Sequence, residues 1–579
     1  MEFAVLISDE LSEEGLSVLR RNPQVRVDAR PGLPHDELVR IIGQYDGLIV
    51  RSATKVTEDV FAAGAGRLKI VGRAGVGVDN IDVAAATRRG VVVVNAPEGN
   101  TIAAAEMTMA LMLAVARHVP QAHHSLAHEH RWDRHSFTGV QLQGKVLGII
   151  GLGRIGAAVA RRAQAFEMRV LAYDPFVSAE RAAELGVEPA SIEAICRQAD
   201  FITVHTPLSR QTEHLIGKEQ FAMMKPGVRL INCARGGIID EQALAEAIQA
   251  GRVAGAGLDV WTKEPAVDNP LLQLPQVVGT PHLGASTREA QINVAVDVAE
   301  DFLRFVAGEP VRNPVNAPAL RPEVAAVLEP YRQLAERLGR LYTTLVGRAY
   351  PRMEVVYKGS IVRYDLRPLT IALLNGMLQP MLHEEVNAVN APILAEERGI
   401  RLAEVKEGAM GAAVMGAGVT GTAASRSPVG GGAAGGAAAT GTPTTAATVA
   451  GVEGLPSGNG EVTATIALRA ETPEGVRTVA GTVTADGKPR LIGIDGYRVD
   501  IISSGYLLLS YHIDQPGIIG RVGTILGNHG INIAFMQVGR KEIRGRAVMA
   551  MGVDDPIPPQ VLEELGQVEG LERTVVTEW

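Results

Sequence analysis

The sequence predicts an α/β protein of several domains in which parallel sheets dominate. Three observations carry that class. Short β-branched runs alternate with helix-like stretches from residue 1 to about 300, as in parallel α/β domains. Those runs are apolar throughout, as strands covered on both faces should be. From Tyr506 onward the order reads β-α-β-β-α-β, a ferredoxin-like unit.

The elements follow in order. FAVLIS, GLIV, LKIVGRAG and VVVVN read as strands, with helix-like EEGLSVLRR after the first. KVLGIIG, RVLAYD, DFITVHTP and VRLINCAR continue the series, separated by helices such as IGAAVARRAQAF and EQALAEAIQAG. Between about 314 and 408 the texture changes to a long amphipathic helix, YRQLAERLGRLYTTL, a strand, MEVVYKG, and then helices through LTIALLNGMLQPMLHEEVNAVNAPILAEERG. Residues 409 to about 460 are almost entirely small or polar, with GGGAAGGAAATGTPTTAAT at their centre, and read as a disordered insertion. EVTATIALRA, VRTVAGTV and PRLIGIDGYRVDI then resume as strands. In the last segment LLLSYHI, INIAFMQVGR, RAVMAMGV and RTVVTEW are strands, and IIGRVGTILGNHG and PQVLEELGQ are helices.

Composition narrows the function. At 579 residues the chain holds about three to five compact units. Its 56 basic against 64 acidic residues give a net charge of -8, which speaks against a nucleic-acid partner. Cys196 and Cys233 are the only cysteines, too few for a disulfide framework and without zinc spacing, so no metal is expected and a reducing cytoplasm fits. The acidic N-terminal stretch lacks the basic region of a signal peptide, and no apolar run reaches the ~20 residues of a membrane span. A soluble protein with no membrane partner is the expectation.

Two glycine fingerprints stand out. GLGRIG, at 151–156, follows the buried strand KVLGII and opens a helix. Gly151 permits the tight turn, Gly153 a close pyrophosphate, and Gly156 close packing of helix on strand. The next strand ends at Asp174, where an acid accepts hydrogen bonds from a ribose diol and repels a 2′-phosphate, so NAD is the expected cofactor. GAGVTG, at 416–421, has the same spacing but no strand before it and no helix after it. Chance explains it in so glycine-rich a segment.

Downstream, Arg235 in INCARGGIID, Glu264 in LDVWTKEP and His282 in VVGTPHLGAS each follow a strand-like run, where open α/β sheets place ligands. Arg235 offers a planar fork for a carboxylate, and His282 can carry a proton. Glu264 beside it would orient the ring.

GRAGVGVDNID, GLGRIG, INCARGGIID, LDVWTKEP and PHLGAST, in this order, resemble the D-isomer-specific 2-hydroxyacid dehydrogenases. The resemblance implies a Rossmann-type parallel-sheet cofactor domain, 98–284, inserted in a flavodoxin-like substrate domain built from 1–97 and 285–312. The remaining units resemble an α/β intervening regulatory domain, 314–505, interrupted by the insertion at about 409–460, and an ACT domain, 506–579. That arrangement implies NAD-dependent oxidation of 3-phospho-D-glycerate to 3-phosphooxypyruvate, the first step of L-serine biosynthesis, in a homotetramer.

By motif position the resemblance makes Arg235, Glu264 and His282 catalytic. It gives cofactor contacts to Gly151, Gly153, Arg154, Ile155, Gly156, Asp174, Thr206, Cys233, Asp259 and Gly284, and to the backbone of Val76, where many relatives carry Thr. It places Asn100 and Arg235 at the substrate carboxylate and Arg51 with Ser52 toward the phosphate, with Arg134 adding charge across a subunit boundary. His512, Asp514 and Asn532 match effector positions of an ACT domain that can bind L-serine, and Lys488, Arg490 and Arg498 offer charge for an anionic effector. Two other readings stay open at this point: a hydroxypyruvate or glyoxylate reductase, and a non-catalytic NAD sensor on the same fold.

Overall fold

A computed structural model describes residues 2–347, 352–382, 385–407, 464–502 and 505–579. The insertion at 409–460, and GAGVTG with it, lies outside the described residues. The chain divides into two compact units, Met1–Ala319 and Leu320–Trp579.

The first unit contains two parallel sheets. Strands Phe3–Ile7, Val25–Ala29, Gly47–Val50, Ile70–Arg73 and Val92–Asn95 form one, in spatial order 2-1-3-4-5, the flavodoxin-like arrangement. The inner strands are apolar on both faces because helices cover both, whereas the edge strand Val25–Ala29 carries Arg26 and Asp28. Leu38, Val60 and Phe61 lie on one side, and helix Arg288–Val306 closes the other with Val294, Val298 and Phe302. Close approach of that helix requires glycine beneath it. A Cβ on Gly47 would come within 2.6 Å of Phe302, and one on Gly72 within 2.5 Å of Val298.

The second sheet has seven parallel strands: Val146–Ile150, Arg169–Tyr173, Glu188–Pro189, Phe201–Val204, Val228–Asn232, Val253–Leu258 and Val277–Gly279. Their order is 3-2-1-4-5-6-7, the Rossmann arrangement with one further strand. Strand Val146–Ile150 sits between Arg169–Tyr173 and Phe201–Val204, so the chain reverses its direction of winding at the residue before Gly151. Ligands of open α/β sheets bind at such switch points.

In the second unit, six strands in order Arg401–Glu407, Arg352–Gly359, Ala464–Thr472, Gly475–Val483, Pro489–Ile494, Tyr497–Ile502 cover helices Pro322–Val346 and Arg367–Leu378. The two helices touch backbone to backbone, because a Cβ on Gly339 or Gly376 would overlap a carbonyl oxygen of the other helix. Strand Arg401–Glu407 is an element that the sequence reading, with its helices ending at Gly399, left unassigned. RLAEVKE pairs in parallel with Arg352–Gly359 at the sheet edge, and that long-range pairing overrides local preference.

Strands Tyr506–Ile513, Ile533–Arg540, Arg546–Val553 and Leu571–Glu578 form an antiparallel sheet in order 2-3-1-4. Helices Ile518–Asn528 and Pro559–Gly566 pack on one face through Leu508, Val522, Met549 and Leu565. Leu507, Leu509, Val548 and Trp579 on the other face join the core around Pro322–Val346.

Candidate active site

The phosphate loop is built as its glycines demand. Gly151 has φ +98°, and a Cβ there would stand 2.6 Å from the His205 carbonyl oxygen. A Cβ on Gly156 would overlap the Gly151 carbonyl oxygen, so helix Arg154–Ala165 can start this close to the strand only with glycine. Gly153 differs: its Cβ position faces open space, with no heavy atom within 4 Å. It is also the helix N-cap and supplies no side-chain cap, so the first-turn N–H groups are available to an anion.

The rest of the cofactor set fits NAD. Asp174 accepts from the Leu152 N–H at 2.8 Å and the Phe176 N–H at 2.9 Å, one bond per oxygen, and each oxygen keeps acceptor capacity for a ribose hydroxyl. Thr206 Oγ1 is buried without a partner, a group that a ligand would satisfy. Arg154 pairs with Glu98 at 3.3 Å. Ile155 is half-buried against the core that includes Leu152 and Met112. Cys233 is buried, and burial pushes its thiol up to about 12, so it stays protonated and serves as packing. The Val76 carbonyl accepts from Asn95 Nδ2 at 2.5 Å, which fixes that backbone.

Glu264 and His282 come together. Glu264 Oε1 and Oε2 lie 3.1 and 3.0 Å from His282 Nδ1, and Oε1 also accepts from the Trp261 N–H at 3.2 Å. His282 has φ +56°, an uncommon conformation for a side-chain-bearing residue, and Asp259 holds it there. The Asp259 carbonyl accepts from the His282 N–H at 2.8 Å. The fully buried Asp259 carboxylate accepts from Thr280 Oγ1, the Leu283 N–H and the Gly284 N–H, each at 2.7 Å. Asp259 and Gly284 are therefore the clamp of the histidine loop.

Arg235 leaves its strand through an Asx turn. Asn232 Oδ1 accepts from the Ala234 N–H at 3.0 Å, and Asn232 Nδ2 donates to the Arg235 carbonyl at 2.9 Å. The guanidinium donates from Nη1 to the Ala234 carbonyl at 2.7 Å and from Nε to Asp79 Oδ2 at 3.1 Å. Gly236 lets this turn press on the Glu264 loop, since a Cβ there would overlap Trp261 backbone atoms.

Among the substrate candidates, Asn100 Oδ1 is buried and unpartnered at the N-cap of helix Thr101–Arg117. The Arg51 N–H donates to Asp9 Oδ2 at 2.6 Å, and Arg51 Nη1 reaches the Glu10 carbonyl at 3.3 Å. Ser52 and Arg134 are exposed. In the second unit His512 is buried, its Nδ1 unpartnered, and burial holds its imidazole below the ordinary histidine range. Asp514 pairs with Arg540 at 2.9 Å, and Asn532 donates to Asp554 at 2.6 Å. Lys488 and Arg490 are likewise paired, with Asp486 and Asp500, each at 3.0 Å.

Sequence reasoning missed Asp79 and Asn232. Asn232 had a local signal, an Asn ending a strand before a Gly-rich turn. Asp79 had none, because its partner lies 156 residues away.

Comparison with known proteins agrees with this architecture. Residues 109–284 match the NAD binding domain of D-isomer specific 2-hydroxyacid dehydrogenases, 327–422 the D-3-phosphoglycerate dehydrogenase intervening domain, and 505–570 the ACT domain. The D-3-phosphoglycerate dehydrogenase of Archaeoglobus fulgidus is 43% identical, covering 98% of each chain. The one from Bacillus subtilis is 42% identical over the same shares, and that of Synechocystis sp. is 42% identical over 98% of this chain and 93% of its own. A solved Thermus thermophilus structure, 36% identical, superposes with a TM-score of 0.50 over 54% of this chain and 100% of its own. With such identity sustained along nearly the whole chain, the protein belongs to the D-3-phosphoglycerate dehydrogenases, within the D-isomer-specific 2-hydroxyacid dehydrogenase family.

Proposed function

We propose that the protein oxidises 3-phospho-D-glycerate at C2 with NAD, giving 3-phosphooxypyruvate for L-serine biosynthesis. The observation that carries the reading is the Glu264–His282 pair on a clamped loop of the sheet that also carries the phosphate loop. An ionised carboxylate only accepts, so in the neutral ring that acts as base His282 Nδ1 bears the proton and Nε2 keeps its lone pair. Nε2 is therefore the base that takes the C2 hydroxyl proton, and the imidazolium formed is stabilised by Glu264. NAD, when bound, accepts the hydrogen and electron pair that leave C2. Arg235 is held at two of its nitrogens, which limits its motion while it and Asn100 fix the substrate carboxylate.

The curated relatives along the full chain favour this substrate over hydroxypyruvate or glyoxylate, and the Glu264–His282 geometry favours an enzyme over a sensor. A panel of 3-phosphoglycerate, D-glycerate, glycolate and D-lactate, assayed with NAD and a keto-trapping reagent, tests it. Turnover confined to an unphosphorylated acid would move the assignment within the family. No turnover with NAD still bound would favour the sensor.

The same reading places the protein in the cytoplasm as a homotetramer with L-serine at the ACT domain. Val119, Leu126 and Trp132, all within the stretch of chain that leads to Arg134, are exposed at 56, 52 and 81%, which supports self-association there. Among the described residues no single helix is long and apolar enough to cross a membrane. Sedimentation with and without L-serine tests the assembly and the effector. A monomer indifferent to serine would contradict both.

A further inference from the structure

Residues 118–135 hold six of the chain's 13 histidines, and the catalytic scheme gives none of the six a task. Helix Val119–Ala127 carries His123 and His124, and His128 is its C-cap. The His128 N–H donates to the His124 carbonyl at 2.9 Å, so His128 keeps helical register and stands one turn beyond His124 on the same face.

The two rings have already met. The ring centres of His124 and His128 are 5.0 Å apart with their planes at 38°, whereas His123 and His128 are 6.3 Å apart and nearly perpendicular. Two imidazoles that bind one ion at about 2.0–2.1 Å hold their ring centres about 4.5–5.2 Å apart, for bond angles of about 90–110°. His124 and His128 stand at that separation, and His123 does not. Both rings of the pair are exposed, so an ion reaches them without opening the core. Glu129 Oε1 lies 3.9 Å from His124 Nε2, beyond hydrogen-bond reach but at the distance where it accepts from water on an ion held by that nitrogen. The other Glu129 oxygen is 3.6 Å from Arg131.

The donor set selects the ion. Neutral imidazole suits copper, nickel and zinc, whereas magnesium and calcium require oxygen ligands. Among the described residues no group of three or more His, Cys, Asp or Glu encloses an ion. A two-histidine site therefore keeps water in its remaining positions and exchanges its metal. We propose that His124 and His128 form an exchangeable surface site for a divalent first-row transition ion, tighter for Cu²⁺ than for Ni²⁺ and for Ni²⁺ than for Co²⁺, and indifferent to Mg²⁺ and Ca²⁺.

The test uses untagged full-length protein with H124A, H128A and H123A, all of which retain His282. Each is dialysed against Ni²⁺ in the presence of excess Mg²⁺, and bound nickel is counted by plasma mass spectrometry. Wild type and H123A should hold the same amount, and H124A and H128A one ion per chain fewer, a loss of affinity of at least about tenfold. The first equivalent of Cu²⁺ should show coupling to two nitrogens in the electron paramagnetic resonance spectrum, reduced to one by H124A or H128A and unchanged in H123A. Both rings are exposed and alanine favours a helix, so circular dichroism should find all variants folded. Equal nickel on all four proteins means adventitious binding only and overturns the proposal. So does an equal loss in H123A, or a wild type that holds no ion beyond H124A because self-association covers the pair.

Discussion

Gly153 and Gly156 lie three residues apart in one motif, yet their substitution by alanine should have opposite consequences. A Cβ on Gly156 overlaps the Gly151 carbonyl oxygen, so G156A has to push helix Arg154–Ala165 off its strand and should unfold at lower temperature with or without ligand. A Cβ on Gly153 meets nothing within 4 Å, so G153A should melt like the wild type when no ligand is present. The space it fills is where a pyrophosphate would approach the uncapped helix, and displacing a charged acceptor from those N–H groups costs about 1.5–3 kcal/mol. That is roughly a 10–150-fold loss of NAD affinity. At NAD 100 times its wild-type dissociation constant, binding stabilises the native state by about 2.7 kcal/mol. With about 2.1 cal/mol/K of unfolding entropy per residue over Met1–Ala319, this raises Tm by about 4 °C. A 100-fold weaker site at the same NAD leaves about 0.4 kcal/mol, a rise below about 1 °C. Scanning calorimetry of the three proteins with and without NAD reads both effects. A G153A protein with the full NAD-induced rise would refute this account of the phosphate loop.

Three further outcomes follow from the geometry. E264Q removes the charge beside His282 Nδ1 and should lower kcat by about 10–100-fold in steady-state assays, with the NAD-induced Tm rise intact; loss of that rise would mean Glu264 serves the cofactor site instead. D259N sets an amide N–H₂ against a donor on the histidine loop, an unsatisfied group worth about 1–3 kcal/mol, and should lower both Tm and kcat; an unchanged kcat would contradict the clamp. Deleting residues 410–458 should leave folding, NAD binding and turnover nearly unchanged. Glu407 pairs with Lys358, and Ala464 with Gly359, on opposite sides of one strand, so a short link can span the roughly 10 Å between them. Loss of NAD binding in a folded deletion protein would restore GAGVTG as a nucleotide site.

Much of this site was legible in the sequence because its logic is local. GLGRIG joins strand, turn and helix within a dozen residues, and Glu264 and His282 share one pair of neighbouring strand ends. Val5, Ile7, Ile70 and Val94 were readable as a core facing helices because parallel strands covered on both faces leave continuous apolar runs. What the sequence hid depends on the chain's path. The Asp79–Arg235 pair joins the edges of two sheets, and neither residue signals the other. Arg73 reads as an ordinary strand-end cation until the structure lays its guanidinium over Gly75. Strand Arg401–Glu407 carries four charges in seven residues, and only its parallel neighbour makes it a strand. Asp259 resembles a cofactor contact by motif, and the structure adds a second task that the sequence did not signal, since its carboxylate also holds the loop that presents His282.

The central claim is that C2 of 3-phosphoglycerate gives up its hydrogen directly to NAD while His282 takes only the hydroxyl proton. Mass spectrometry of the NADH formed from C2-deuterated 3-phosphoglycerate in ordinary water measures this in one experiment. The account predicts one deuterium per NADH with the wild type, and NADH formation all but lost in H282A. Unlabelled NADH, or labelled NADH formed at the wild-type rate by H282A, would contradict it.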